Sequence, residues 1–143
     1  MMFLQQAILL LAGESVYTHP IPDSGASSFI GIETDGKHDV SLALQEAINR
    51  LKVEKAFGTL FIPEGKYLIS RTIYVPNSIR VIGYGNRRPE FILADESRGF
   101  DGDDLKYMFW FTGGLVKDES HIDDANPGTF YSGISNVDFR IGN

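Results

Sequence analysis

The chain contains no cysteine. That absence excludes disulfide staples, thiolate nucleophiles and every zinc or iron–sulfur site built on Cys ligands. Histidine is scarce as well. His19, His38 and His121 are too dispersed in sequence to announce a metal triad, each reads as an ordinary surface or turn histidine, and no serine sits in a nucleophile-elbow motif. Long hydrophobic runs are missing. The longest, Ala7 to Ala12, falls far short of the roughly 18 apolar residues that span a bilayer, so no membrane partner is expected. Positive charge is also short, with 13 Lys and Arg against 19 Asp and Glu, a net charge of −6. This balance repels phosphate backbones and no basic patch offsets it, so no nucleic-acid partner is expected.

What is present is material for one globular domain or part of one: 143 residues, 43% hydrophobic and 12% aromatic. The opening MMFLQQAILLLAG has the apolar centre of a secretion signal but no basic start, and Gln5 and Gln6 interrupt it. Secretion is an expectation that rests on this weak signal. From Leu11 to Ile32, Gly13, Pro20, Pro22, Gly25 and the SGASS patch break any sustained period. Residues 1–28 therefore read as an irregular lead-in and 29–143 as the ordered domain.

Between Asp39 and Val53, the positions Leu44, Ala47, Ile48 and Leu51 recur at the i, i+3, i+4, i+7 spacing of one helical face. Asp39 is placed as the N-cap and Phe57-Gly58 as the stop. After Gly58 the chain changes to brief β-branched and aromatic runs separated by Pro, Gly, Asn and Ser. Strands are expected near Thr59 to Ile62, Tyr67 to Ile69, Thr72 to Val75, Ile79 to Ile82, Phe91 to Leu93, Met108 to Phe111 and Ile134 to Ile141. Pairs such as FI, VI and FIL leave little room for a solvated face, so the strands are covered on both sides or coil around a shared interior. One helix followed only by strands is not the rhythm of a doubly wound sheet. Periodicity leaves two architectures open: a coiled stack of strands with a helix capping its end, or an α+β domain with one helix on an antiparallel sheet.

The segments TDGKHDVSLALQEAI, GTLFIPEGKYLISRTIYVPNSIRVIGYG and PEFIL resemble the opening of the pectate-lyase superfamily. That group includes polygalacturonase-like glycoside hydrolase family 28, the exo-β-1,3-glucanases of glycoside hydrolase family 55, and phage tailspikes. Asp35, Gly36 and Asp39 match the family's turn, Ala47 and Ile48 its helix, and Pro63, Gly65, Tyr67, Gly83 and Gly85 its later positions. Val40 stands where a second Asp is usual, and Gly58 is a single glycine where a run is common. The later segment GTFYSGISNVDFRIGN resembles a further coil. The resemblance implies an all-β chain, a right-handed parallel β-helix with an N-terminal capping α-helix. It also implies a polysaccharide or oligosaccharide partner, glycoside hydrolase activity as the first reading, and a non-catalytic glycan-binding or fibre-forming module as the second. The terminal VDFRIGN shows no capping element, so the chain reads as the N-terminal portion of a longer protein. The family's catalytic carboxylates lie on later coils, and no position here inherits a catalytic role.

Nine carboxylates lie between Asp95 and Asp124: Asp95, Glu96, Asp101, Asp103, Asp104, Asp118, Glu119, Asp123 and Asp124. A solvated acidic loop is the plain reading. A hydrolytic carboxylate pair or a calcium site on the DGDD turn are the alternatives. No other cofactor is expected. GYGNRR lacks the third glycine of a dinucleotide motif, and Pro89 blocks the helix that should follow. Arg87 and Arg88 are candidates to grip an acidic sugar carboxylate. Trp110 is a candidate to stack on a sugar ring, because a strand's period of two turns it away from Phe109 and Phe111; a solvated turn and core packing are the respective alternatives.

Overall fold

The computed structural model describes residues 26–29, 31–123 and 131–142. The lead-in up to residue 25, His19 and Asp124 lie outside the described residues. The strands are β1 (Ala26–Ser28), β2 (Asp35–Asp39), β3 (Gly58–Pro63), β4 (Lys66–Ile69), β5 (Ile73–Pro76), β6 (Ile79–Tyr84), β7 (Glu90–Leu93), β8 (Phe109–Thr112), β9 (Gly133–Ser135) and β10 (Asp138–Ile141). A single helix, α1 (Ser41–Lys55), intervenes between β2 and β3.

The strands form three sheets, ordered β1-β3-β6-β9, β10-β7-β4-β2 and β5-β8, and the pairing within all three is parallel. From β3 onward the chain visits the sheets in a fixed rotation: β3, β4, β5, then β6, β7, β8, then β9 and β10. Each strand therefore lies beside the equivalent strand of the previous circuit. Parallel neighbours need long connections, and here the strands of the other two sheets supply them. Parallel pairing removes the antiparallel α+β alternative. In β3 and β6 buried and less buried residues alternate, as expected for strands that wrap one shared interior.

Because the registers repeat, similar side chains stack from circuit to circuit. Tyr67 lies in register with Phe91, and Phe91 with Phe139. Their ring centroids are 5.6 and 6.2 Å apart, and Phe29 extends the column 5.9 Å from Tyr67. Beside it Leu60, Val81 and Ile134 form an aliphatic column. Tyr67 is fully buried; its hydroxyl donates to the Pro63 carbonyl at 2.7 Å, and burial pushes its pKa up to about 12. Gly83 is required by close approach. A Cβ there would overlap the Asn136 carbonyl and Pro89, while Asn136 Nδ2 donates to the Gly83 carbonyl at 2.6 Å.

Three local expectations are corrected. The helix begins at Ser41, with Val40 at the N-cap position, so Asp39 stands one residue earlier, although its carboxylate still accepts from the Ser41 amide at 2.9 Å. The helix stops at Ala56, which takes the left-handed conformation (φ 64°) and donates to the Lys52 carbonyl, ahead of Phe57-Gly58. The expected strand from Ile134 to Ile141 is two strands in different sheets, because Asn136 at φ 55° bends the chain between them.

Helix α1 covers the end of the stack. Leu44, Ile48 and Leu51 are buried in the core. Gln45 does more: its Oε1 accepts from the Tyr74 amide at 2.7 Å, and its Nε2 donates to the Tyr74 carbonyl at 2.9 Å. One side-chain amide thus supplies β5 with both bonds that a neighbouring strand would have made. Lys52 Nζ likewise donates to the Asn77 carbonyl at 3.0 Å. Replacing Gln45 by Ala orphans a buried donor and acceptor together and should cost about 1–3 kcal/mol. Leu44→Ala should cost about 2–5 kcal/mol through the cavity it leaves. Urea titration of both variants checks this. A Gln45→Ala midpoint equal to the parent's would show that water replaces the side chain at no cost.

Candidate functional site

A cleft of about 690 Å³ lies over the two-stranded sheet of β5 and β8. One wall is the corner between β4 and β5, with Ser70, Arg71 and Thr72, continued by Tyr74 of β5. The other is the 94–107 excursion that follows β7, with Asp95, Glu96, Ser97, Arg98, Phe100, Leu105 and Lys106. Trp110 of β8 lies between them, and Glu119 and Ile122 contribute from the segment beyond β8. A smaller cavity of about 170 Å³ shares Arg71, Thr72, Tyr74 and Glu119 and reaches Leu42 and Gln45 of the helix. The two together form a groove that runs from the helix to the excursion.

The β4–β5 corner is fixed from beneath by Asp39. Its Oδ1 accepts from the Ser41 amide and from Ser41 Oγ at 2.5 Å, and its Oδ2 accepts from Ser70 Oγ. Ser41 Oγ in turn accepts from the Ser70 amide at 2.9 Å. Partial burial works to raise the Asp39 pKa, but the hydrogen bonds from Ser41 and Ser70 and the charge of Arg71 outweigh it, and the carboxyl is held below its usual value. Thr72 Oγ1 links this corner to the opposite wall by donating to the Tyr107 carbonyl at 2.7 Å; within that wall Ser97 Oγ donates to the Ala94 carbonyl at 2.6 Å, and Lys106 Nζ sits 5.9 Å from the Phe100 ring centre.

Trp110 is turned away from its neighbours as the period of two predicts. Phe109 packs on Phe91 at 5.0 Å, whereas Trp110 meets Tyr74 at 6.0 Å and Tyr107 at 5.7 Å and lines the cleft. Burial, and then the nearby charge of Glu119, push the Tyr74 pKa up. The lining carries three cationic side chains, Arg71, Arg98 and Lys106, and three carboxylates, Asp95, Glu96 and Glu119. An aromatic surface bordered by both signs of charge suits a polar ring with apolar faces.

Arg87 and Arg88 are exposed in the β6–β7 turn and do not line this cleft. Arg88 has a local task. Glu90 and Asp138 stand opposite each other in register, an arrangement of like charges that costs stability. Arg88 Nη1 lies 3.5 Å from Asp138, and Arg140 Nε lies 2.9 Å from Glu90. Of the acidic segment, Asp95, Glu96 and Glu119 reach the cleft, while Asp101, Asp103 and Asp104 are exposed on the excursion. Asp118 accepts from the Ser120 amide at 2.9 Å, which lowers its pKa. His121 is exposed, its amide donating to the Asp118 carbonyl. Sequence reading missed Arg71, Arg98 and Tyr74. Arg71 just precedes β5, Tyr74 lies within it and Arg98 sits on the excursion between β7 and β8, so no local pattern groups them.

Residues 29–143 match the family model for rhamnogalacturonase A/epimerase, pectate lyase-like proteins. The chain belongs to that family. No curated protein and no solved structure matches it. Membership makes this a polysaccharide-related protein. Among the described residues no helix is long and apolar enough to cross a membrane.

The Asp39 node gives a pH dependence. Its carboxyl is depressed in the folded chain, so its contribution is complete above the unfolded carboxylate value and is lost as pH falls through the folded one. Asp39→Asn should lower the melting temperature at neutral pH, and the gap to the parent should narrow as pH falls below the ordinary carboxylate value of about 3.9. Paired melts across this range check it; a gap that stays constant on acidification would mean that the charge contributes nothing.

Proposed function

We propose that the chain is a right-handed parallel β-helix that holds a polysaccharide segment in the groove along β5 and β8, as part of a glycoside hydrolase. Trp110 carries the reading: it is half-buried and lines a cleft of about 690 Å³, between two tyrosines, on a chain of a pectate lyase-like family. The hand follows from the strong right-handed preference of parallel strand crossovers. In this reading one sugar ring rests on Trp110, and Arg71 and Arg98 reach its carboxylate or hydroxyl oxygens. The adjoining smaller cavity takes the next ring. The presence of Asp95, Glu96 and Glu119 in the same cleft favours hydrolysis as its chemistry, since one carboxyl can protonate a leaving oxygen while another activates water. A polymer of this kind is met outside the cell, so secretion goes with the proposal. Arg87 and Arg88, one turn away, are not needed by it.

Trp110 is the sole tryptophan in the chain, so intrinsic fluorescence reports on the cleft directly. Titration with acidic and neutral pectic oligosaccharides should give a saturable change in emission with at least one of them. By calorimetry, Trp110→Ala should weaken binding about tenfold or more, in line with the 1–3 kcal/mol of a well-placed aromatic stack. Arg87→Ala should leave binding unchanged. A flat fluorescence titration across the panel would sink the proposal. Release of reducing ends that Glu119→Gln or Asp95→Asn abolishes would establish hydrolysis; binding without release would leave the groove a glycan-binding surface.

A further inference from the structure

We propose that Glu33, Asp35 and His38 form a binding site for a divalent transition-metal ion of the zinc class. The site lies apart from the cleft, on the edge strand β2 of the sheet ordered β10-β7-β4-β2. One ligand atom from each residue, a carboxylate oxygen from Glu33 and Asp35 and Nδ1 of His38, lies within 4.8 Å of the other two. His38 Nδ1 is 3.1 Å from Asp35 Oδ2 and also contacts Glu33 Oε2. Ligand atoms on a tetrahedral zinc ion stand roughly 3.3 Å apart, close to the His38–Asp35 separation, so a small rearrangement of exposed side chains admits the ion.

The backbone produces this convergence. In a regular strand Asp35 and His38, three residues apart, would point to opposite faces. Here β2 is irregular: Asp35 pairs with Lys66 and Asp39 with Leu68, so the stretch between them bulges relative to β4. Gly36 takes φ 73° within the bulge, where a Cβ would press on Lys66 and Ile92. Bulges of this kind re-aim side chains. The Lys37 amide donates to Asp35 Oδ1 at 2.8 Å, and the His38 amide reaches the same oxygen at 3.4 Å. Those bonds hold Oδ1, lower the Asp35 pKa and leave Oδ2 turned toward the imidazole. One imidazole nitrogen and two carboxylate oxygens form a donor set for zinc and its first-row neighbours rather than for calcium, which takes six or more oxygens. Three protein ligands leave a fourth position for water.

The test uses the full chain, purified without a polyhistidine tag and treated with chelator, titrated with Zn²⁺ by calorimetry while NMR follows the imidazole of His38. One ion per chain is expected, with the His38 ring signals shifting at saturation and Ca²⁺ failing to compete. His38→Ala and Glu33→Gln should each weaken Zn²⁺ binding at least tenfold, whereas His121→Ala should leave it unchanged. Both positions are exposed, and an unaltered circular dichroism melt without metal confirms that the variants fold. Equal Zn²⁺ affinity in parent and His38→Ala, or shifts confined to His19 or His121, would overturn the proposal. A flat titration would do the same. None of these outcomes bears on the cleft.

Discussion

A stack of parallel circuits satisfies the backbone of each strand only through the circuit on either side of it. Everything else in this molecule follows from that constraint. Interior circuits meet it automatically, because β3 lies on β6 and β4 on β7 over their full lengths. An end does not, and there the chain departs from the repeat by inserting α1. Gln45 is the central device: a side-chain amide has the same donor and acceptor as a peptide group, and both are placed on Tyr74. The apolar face of the helix then covers the core while its polar residues take over the hydrogen bonds of a strand.

The same constraint builds the cleft. The corner between β4 and β5 must turn the chain toward the third sheet beside the helix start, and Asp39 ties the two together through Ser41 and Ser70. Arg71 and Thr72 follow immediately and enter the groove. The circuit that contains β6, β7 and β8 is lengthened by the 94–107 excursion, which supplies the far wall. A stacked core tolerates such insertions because loop length adds entropic cost slowly and the registers of β7 and β8 do not depend on it. The scaffold repeats and the excursion varies, which is how one fold comes to host different chemistries.

The edge strand shows the constraint relaxed. β2 pairs with β4 only at its ends, and the freedom gained there brings His38 back onto Asp35 and Glu33. Edge strands are vulnerable to pairing with other chains, and bulges and charges on them guard against it. The Glu33–Asp35–His38 cluster and Lys37 supply both guards whether or not an ion is bound.

Much of the fold was legible in the sequence because its signals are local. Leu44, Ala47, Ile48 and Leu51 announce the buried helical face, and Pro63, Gly65 and Gly85 mark strand ends and turns where the backbone has few alternatives. The period of two also turned Trp110 away from Phe109 and Phe111, since that depends on neighbouring dihedrals alone, while leaving open which face meets the core. The split at Asn136 escaped notice because a left-handed residue is not obvious in an otherwise strand-like run. Which residues share a cleft was not legible. Arg71 and Arg98 are far apart in sequence and line one cleft only because the excursion after β7 faces the β4–β5 corner, while Arg87 and Arg88, more conspicuous as a pair, fall on a different turn. The sequence by itself determined the helix, the short strands and the family, all encoded by residue type and spacing. The tertiary structure alone decided the groove and the Glu33–Asp35–His38 cluster, because each depends on register and on one bulge, and neither leaves a periodic trace.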